Sequence, residues 1–168
     1  MTLTLTPGTV TLDQLRQLWA GAPAHLAPEA LDRIDQAAAS VERIVAGGKT
    51  VYGINTGFGL LAQTRIPADK LADLQRNLIL SHSCGLGDAL PRGTVRMMIL
   101  LKLVGLGRGH SGVRRTVIDA LDALLAADAM PIIPAQGSVG ASGDLAPLAH
   151  LVAALMGQGR IDLAGDIL

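Results

Sequence analysis

Ala141-Ser142-Gly143 could build an electrophile without help from any external cofactor. Gly143 has no side chain, so its amide nitrogen can fold back on the Ala141 carbonyl carbon, and glycine tolerates the dihedrals such a ring needs. Ser142 can lose its hydroxyl as water. Closure plus dehydration would give a reactivity that no unmodified side chain has. Pattern alone favours a second reading: a glycine-rich turn before a helix that Asp144 caps. In either case the following helix aims free N–H groups and partial positive charge back at the tripeptide, which favours an adjacent electrophile.

Tyr52 is the only tyrosine, at the entrance of the glycine-rich run Tyr52-Gly53-Ile54-Asn55-Thr56-Gly57-Phe58-Gly59. It fits either a packing residue with a satisfied hydroxyl or a base. The second role needs surroundings that favour phenolate, because free tyrosine ionises near ~10. The four histidines, His25, His82, His110 and His150, do not fall at metal-ligand spacing, so no metal site is expected. His25 reads as a loop residue and His150 as a structural one. Cys84 lacks a basic partner nearby in sequence and reads as a small buried residue. Gly105-Leu106-Gly107-Arg108-Gly109 lacks the lysine and the preceding strand of a phosphate loop.

These residues need elements to hold them. Leu3, Leu5 and Val10 alternate partly, which predicts a short strand. Thr11 with Gln14 forms a capping box for a helix whose apolar face is Leu12, Leu15, Leu18 and Trp19. Pro28 opens a second helix that Gly47-Gly48 stops. Glycines make 51–63 a shaped loop. A helix runs from Pro67 towards His82 and ends at Gly85 and Gly87. Another begins at Pro91, and a further one covers 113–127. Residues 130–134 form an extended connector, since residues before proline avoid the α region. A last helix follows Asp144 to about Met156. No internal repeat or domain boundary interrupts the chain.

Composition narrows the classes. Lys+Arg and Asp+Glu balance at 14 each, which argues against nucleic acid as a partner. Hydrophobic residues make up 49% but aromatics only 2%, so Leu, Ala, Ile and Val must build the core, as suits packed helices. Lys102 cuts the most apolar run short of the ~20 residues a membrane span needs, so no membrane partner is expected. The N-terminus lacks the features of a signal peptide, and one cysteine excludes an internal disulfide framework. The cytoplasm is the expected location. So apolar a chain is expected to bury surface against further segments or other subunits.

Three motifs in order carry a resemblance. Tyr52–Gly59 is the first, Asn77-Leu78-Ile79-Leu80-Ser81-His82-Ser83-Cys84-Gly85 the second, and Gly137 to His150 around Ala141-Ser142-Gly143 the third. Together they resemble the aromatic amino acid ammonia-lyases, over roughly residues 48–157, and within them the histidine ammonia-lyase branch. The resemblance implies a mainly α chain, the N-terminal helical domain of the ammonia-lyase fold, with loops around the prosthetic group and little β structure. It implies a single N-terminal domain over 1–168, a portion of a longer helical enzyme. It implies 4-methylidene-imidazole-5-one (MIO) formed autocatalytically from Ala141, Ser142 and Gly143, with Asp144 in support. Tyr52 would be the base that removes a substrate β-proton. His82 and Ser83 would select the substrate side chain; the phenylalanine branch carries Phe-Leu there and the tyrosine branch His-Leu. Asn55 and Gly59 would lie in the substrate site, with Asn55, Thr56 and the glycines shaping the loop and Phe58 anchoring it. The implied reaction is deamination of L-histidine to trans-urocanate and ammonia by a homotetramer, with the 168-residue chain inactive alone. A tyrosine or phenylalanine ammonia-lyase, an aminomutase, or a non-catalytic helical piece are the alternatives.

Overall fold

The computed structural model describes residues 2–140 and 145–168, apart from the side chain of Leu61. Two short parallel strands, β1 (Leu3–Leu5) and β2 (Ala24–Leu26), flank helix α1 (Leu12–Trp19). The capping box forms as expected: the Gln14 amide donates to Thr11 Oγ1 at 3.2 Å and the Thr11 amide to Gln14 Oε1 at 2.9 Å. Pro28 sits at the start of α2 (Pro28–Ala46), where a missing N–H costs nothing. A loop with two short 3₁₀ turns leads to α3 (Leu71–His82). Then come β3 (Leu86–Ala89), α4 (Arg92–Leu106), α5 (Arg115–Ala126), β4 (Ala129–Pro131), β5 (Pro134–Gln136) and α6 (Leu145–Leu155). A hairpin of β6 (Ile161–Leu163) and β7 (Asp166–Ile167) lies against β4. The chain is mainly helical, as expected.

The core is aliphatic. Val95, Ile99, Leu100 and Leu103 of α4 pack with Ile118, Leu121, Leu124 and Leu125 of α5. Leu18, Ile34, Met130, Ile133 and Leu151 close the cluster. Of the face expected on α1, Leu18 alone is fully buried, and Leu12 is exposed. Trp19 is half-exposed and lies flat enough on α4 that a Cβ at Gly93 would meet its ring at 3.0 Å.

One cation crosses this core. Arg96 is buried on α4, and its guanidinium donates to the Leu18 carbonyl at 3.1 Å, the Ala22 carbonyl at 3.2 Å and Asp128 Oδ1 at 3.2 Å. A turn earlier, Arg92 bonds Asp128 at 2.7 Å and Asp162 at 2.7 Å. These two arginines tie the end of α1, the turn after α5 and the final hairpin to one helix. The bond from Arg92 and the Gly165 amide hold the Asp162 carboxyl below its usual range.

The structure departs from the sequence reading at several places. His25 is in β2, where its Nε2 meets Thr4 Oγ1 of β1 at 3.2 Å, because the pairing partner lies 21 residues away. Cys84 is exposed, not buried: it lies in the short connection between the cap of α3 and β3. The helix before it ends at His82 with Ser83 as the cap, ahead of the glycines, and Leu86–Ala89 is a strand. The connector at 130–134 supplies residues to two strands, with Ile133 fully buried between them.

Arg96→Ala leaves the buried Leu18 carbonyl and the part-buried Ala22 carbonyl without their donor, while Asp128 keeps Arg92, and is expected to lower the unfolding free energy by about 2–4 kcal/mol. Arg16→Ala removes only an exposed pair with Asp13 and should change it by less than about 0.5 kcal/mol. Equilibrium urea unfolding of the two variants checks the contrast; equal losses would contradict it.

Candidate functional site

The end of α3 presents the selector residues. Ser83 caps the helix, and its hydroxyl donates to the Ile79 carbonyl at 2.9 Å. His82 Nδ1 lies 2.7 Å from the Leu78 carbonyl oxygen. A carbonyl only accepts, so Nδ1 carries the hydrogen, and in the neutral ring Nε2 keeps its lone pair, with no hydrogen-bond partner among the described residues. The His82 ring borders an apolar crevice of about 160 Å³ between α3 and α6, with Leu78, Leu145, Leu148 and Val152 on its walls.

Ala141, Ser142, Gly143 and Asp144 lie outside the described residues, so the structure gives their flanks. On the upstream side, β5 pairs antiparallel with β3, Leu86 opposite Gln136 and Ala89 opposite Pro134, with an irregularity between the two pairs. The Leu90 amide donates to the Ile133 carbonyl at 2.8 Å. On the downstream side, α6 begins at Leu145 and packs along α3. The chain that leaves the selectors and the two arms that carry the tripeptide are therefore one assembly.

That assembly closes at two glycines. A Cβ on Gly85 would meet His150 Nε2 at 3.1 Å, the Gln136 carbonyl oxygen at 3.2 Å and Pro134 Cβ at 3.2 Å. A Cβ on Gly137 would meet Ala146 Cβ at 3.1 Å and Gly85 Cα at 3.2 Å. The Gly85 amide donates to His150 Nε2 at 2.9 Å, a bond from the loop after α3 to the middle of α6. Burial pushes the His150 imidazole below its ordinary value, which agrees with an Nε2 that must stay unprotonated to accept. The sequence reading left His150 as structural and did not find its partner. The available signal was a single histidine on a helix otherwise built of Ala, Leu, Val and Pro.

The 51–66 loop is held by its own bonds. Asn55 is buried; its Nδ2 donates to the Lys49 carbonyl at 2.7 Å and its Oδ1 accepts from the Val51 amide at 2.8 Å. Its backbone carbonyl accepts from the Ile66 amide at 2.9 Å. Thr56 Oγ1 donates to the Gly57 carbonyl at 2.9 Å, and the Gly57 amide to the Thr64 carbonyl at 3.1 Å. Asn55 thus shapes the loop with both ends of its amide. Phe58 meets the Tyr52 ring edge-on at 6.0 Å and 70°. Tyr52 itself is 64% exposed, and its hydroxyl has no hydrogen-bond partner among the described residues. Gly59 has φ +57° with open space around its Cα, so its place in the turn depends on having no side chain. The structure joins His82, Ser83 and the flanks of 141–143; it leaves Tyr52 on an exposed loop.

Comparison with known proteins follows the same residues. The aromatic amino acid lyase family profile matches residues 10–168. A histidine ammonia-lyase of Burkholderia multivorans is 55% identical over 166 residues, 98% of this chain and 33% of that protein. The crystal structure of histidine ammonia-lyase from Trypanosoma cruzi superposes with a TM-score of 0.89 at 38% identity, covering 100% of this chain and 32% of that one. Ergothionase from Treponema denticola superposes at 0.94 with 28% identity, over 100% of this chain and 34% of that one. The chain spans about a third of the length of the relatives it matches.

Two outcomes test this geometry. Asn55→Ala removes both clasps of the loop; amide exchange across 49–66 should speed up about tenfold or more, while the core helices keep their protection. For His150 the folded value is depressed, so the unfolded chain binds its proton first as the pH falls. Stability should be full above the ordinary value of 6.5 and decline as the pH drops below it, and His150→Gln should flatten that part of the profile. Chemical unfolding across pH reads the difference.

Proposed function

We propose that this chain, which belongs to the aromatic amino acid lyase family, forms the electrophile-bearing part of a histidine ammonia-lyase. The reaction is non-oxidative deamination of L-histidine to trans-urocanate and ammonia. The observation that carries the proposal is the packing of α3, with His82 at its end lining the crevice, against the helix that follows 141–143.

The chain's own residues suit MIO. Ala141, Ser142 and Gly143 supply the atoms, and both flanks are pinned, one by strand pairing and one by helix packing. Once formed, the group supplies an electrophile for the substrate amine, which makes the nitrogen a better leaving group. The family resemblance gives Asp144 a supporting role beside the group.

The remaining chemistry is positioning and proton transfer. His82 offers the Nε2 lone pair to an N–H of the substrate imidazole. Ser83, small and polar, leaves room where a leucine would present only apolar surface. The apolar walls of the crevice exclude water from this pairing and strengthen it. Tyr52 takes the substrate β-proton on its phenolic oxygen, with Phe58 steadying the ring. Asn55 and Gly59 shape the loop that brings Tyr52 to the substrate. No step calls for a metal.

The assembled form is a homotetramer, and the 168-residue chain alone is inactive. Tyr52, Leu60, Val139 and Leu145 are all exposed here, although they flank residues that must work away from water. Other segments and subunits supply that cover. The cytoplasm is the proposed location, and among the described residues no helix is long and apolar enough to cross a membrane.

The experiment takes the whole assembled protein and offers it L-histidine, L-tyrosine and L-phenylalanine in turn, with product absorbance as readout. Urocanate should form from histidine, and the peptide containing 141–143 should have lost the mass of two waters. Ser142→Ala should abolish both. Tyr52→Phe should lower kcat by about 10²–10⁴-fold with the mass change intact. Turnover of tyrosine or phenylalanine in preference to histidine would reassign the substrate. An unchanged mass with no turnover of any of the three would overturn the ammonia-lyase reading.

A further inference from the structure

We propose that His150 is a positioning residue for this site. It fixes the selector pair His82-Ser83 relative to the segment 141–143 through its single bond to the Gly85 amide. The proposal rests on the reading of the site as an ammonia-lyase centre.

The bond joins two otherwise separate supports. His150 is on α6, whose first residue, Leu145, is two positions beyond Gly143 in the sequence. Gly85 is two residues beyond Ser83, and its N–H points across 65 positions of sequence to His150 Nε2 at 2.9 Å. Side-chain packing between α3 and α6 is apolar and without direction, so it resists separation but permits sliding. A hydrogen bond to a backbone amide next to the cap of α3 is directional and sets the register.

The surroundings leave little freedom. Gly85 is enclosed by His150, Gln136 and Pro134 within 3.1–3.2 Å of where a Cβ would be. An aliphatic side chain at 150 would leave the Gly85 amide without its acceptor in this enclosure, and the loop would have to move to find another. His82 would move with it, because Ser83 and Gly85 belong to the same short connection. His150 need not touch substrate to act in this way.

The test compares His150→Leu with His150→Gln in the whole assembled protein. Glutamine can place Oε1 near the position of the imidazole Nε2 and accept the same bond; leucine cannot. In His150→Leu, KM for L-histidine should rise about tenfold, the weight of one hydrogen bond, with the two-water mass loss still present. Amide exchange of the peptide spanning 83–90 should accelerate by a similar factor. His150→Gln should recover most of the KM and of the protection. A loss confined to the thermal midpoint, with KM and exchange unchanged, would show mere packing and overturn the proposal. So would a glutamine variant no better than leucine. If the parent protein does not turn over histidine, the functional reading fails by itself, whereas the exchange of 83–90 still reports whether His150 holds the loop.

Discussion

The site depends on two backbones that approach without side chains between them. Gly85 and Gly137 face each other closely enough that a Cβ on Gly137 would come within 3.2 Å of Gly85 Cα. This approach lets β3 pair with β5, and the pairing aims the chain after Gln136 at the start of α6. A Cβ at either position would sit 3.1–3.2 Å from its neighbours and force them to give by a few tenths of an ångström. The same approach puts the Gly85 amide under His150. Strand pairing, the helix crossing of α3 on α6 and the cross-link between them therefore share one steric condition.

Behind the site, the core meets a different condition: few aromatics are available to fill it. Aliphatic side chains pack well between helices, yet they specify register weakly. Two arginines on α4 make up for this. Arg96 spends its donors on the carbonyls of Leu18 and Ala22 and on Asp128, and Arg92 bridges Asp128 and Asp162. Asp128 adopts φ +49°, an unfavourable conformation for a residue with a side chain, and the two arginines hold it there. The buried charge is costly to desolvate, so its benefit lies in fixing which turn packs where, with the carbonyls and the carboxylate all satisfied at once.

What could be read from the sequence was local. Thr11 with Gln14, Pro28 at a helix start and the stop at Gly47 each act within a few residues, and each appears as expected. His82 and Ser83 fall at the helix end, where the motif put them. Pairings over long distances were not legible. His25 gave no sign of its strand partner at Thr4, nor Leu86–Ala89 of Pro134–Gln136, because short polar strands take their stability from the partner. Cys84 was misjudged for the same reason: cysteine is usually buried, but burial is decided by what packs above it. Asn55 was expected both in the substrate site and as a shaper of the loop; its side-chain amide bonds the Lys49 carbonyl and the Val51 amide, partners the motif did not name.

The tautomer of His82 links this scaffold to selectivity. Its Nδ1–H is committed to the Leu78 carbonyl at 2.7 Å, so the helix itself decides which nitrogen remains to meet a ligand. A free Nε2 is an acceptor, and a substrate side chain that offers an N–H satisfies it. A phenyl ring of similar size would leave that lone pair facing an apolar wall, unpaired and desolvated, and a site built to accept a hydrogen bond rejects a partner that lacks the donor far more strongly than a hydrophobic pocket rejects a missing methylene. Leucine at position 83 would deepen the apolar surface and favour ring stacking; serine there does not. On the proposed reaction, discrimination among aromatic amino acids arises from a backbone carbonyl one helical turn below the selector, which fixes the donor pattern before any substrate arrives.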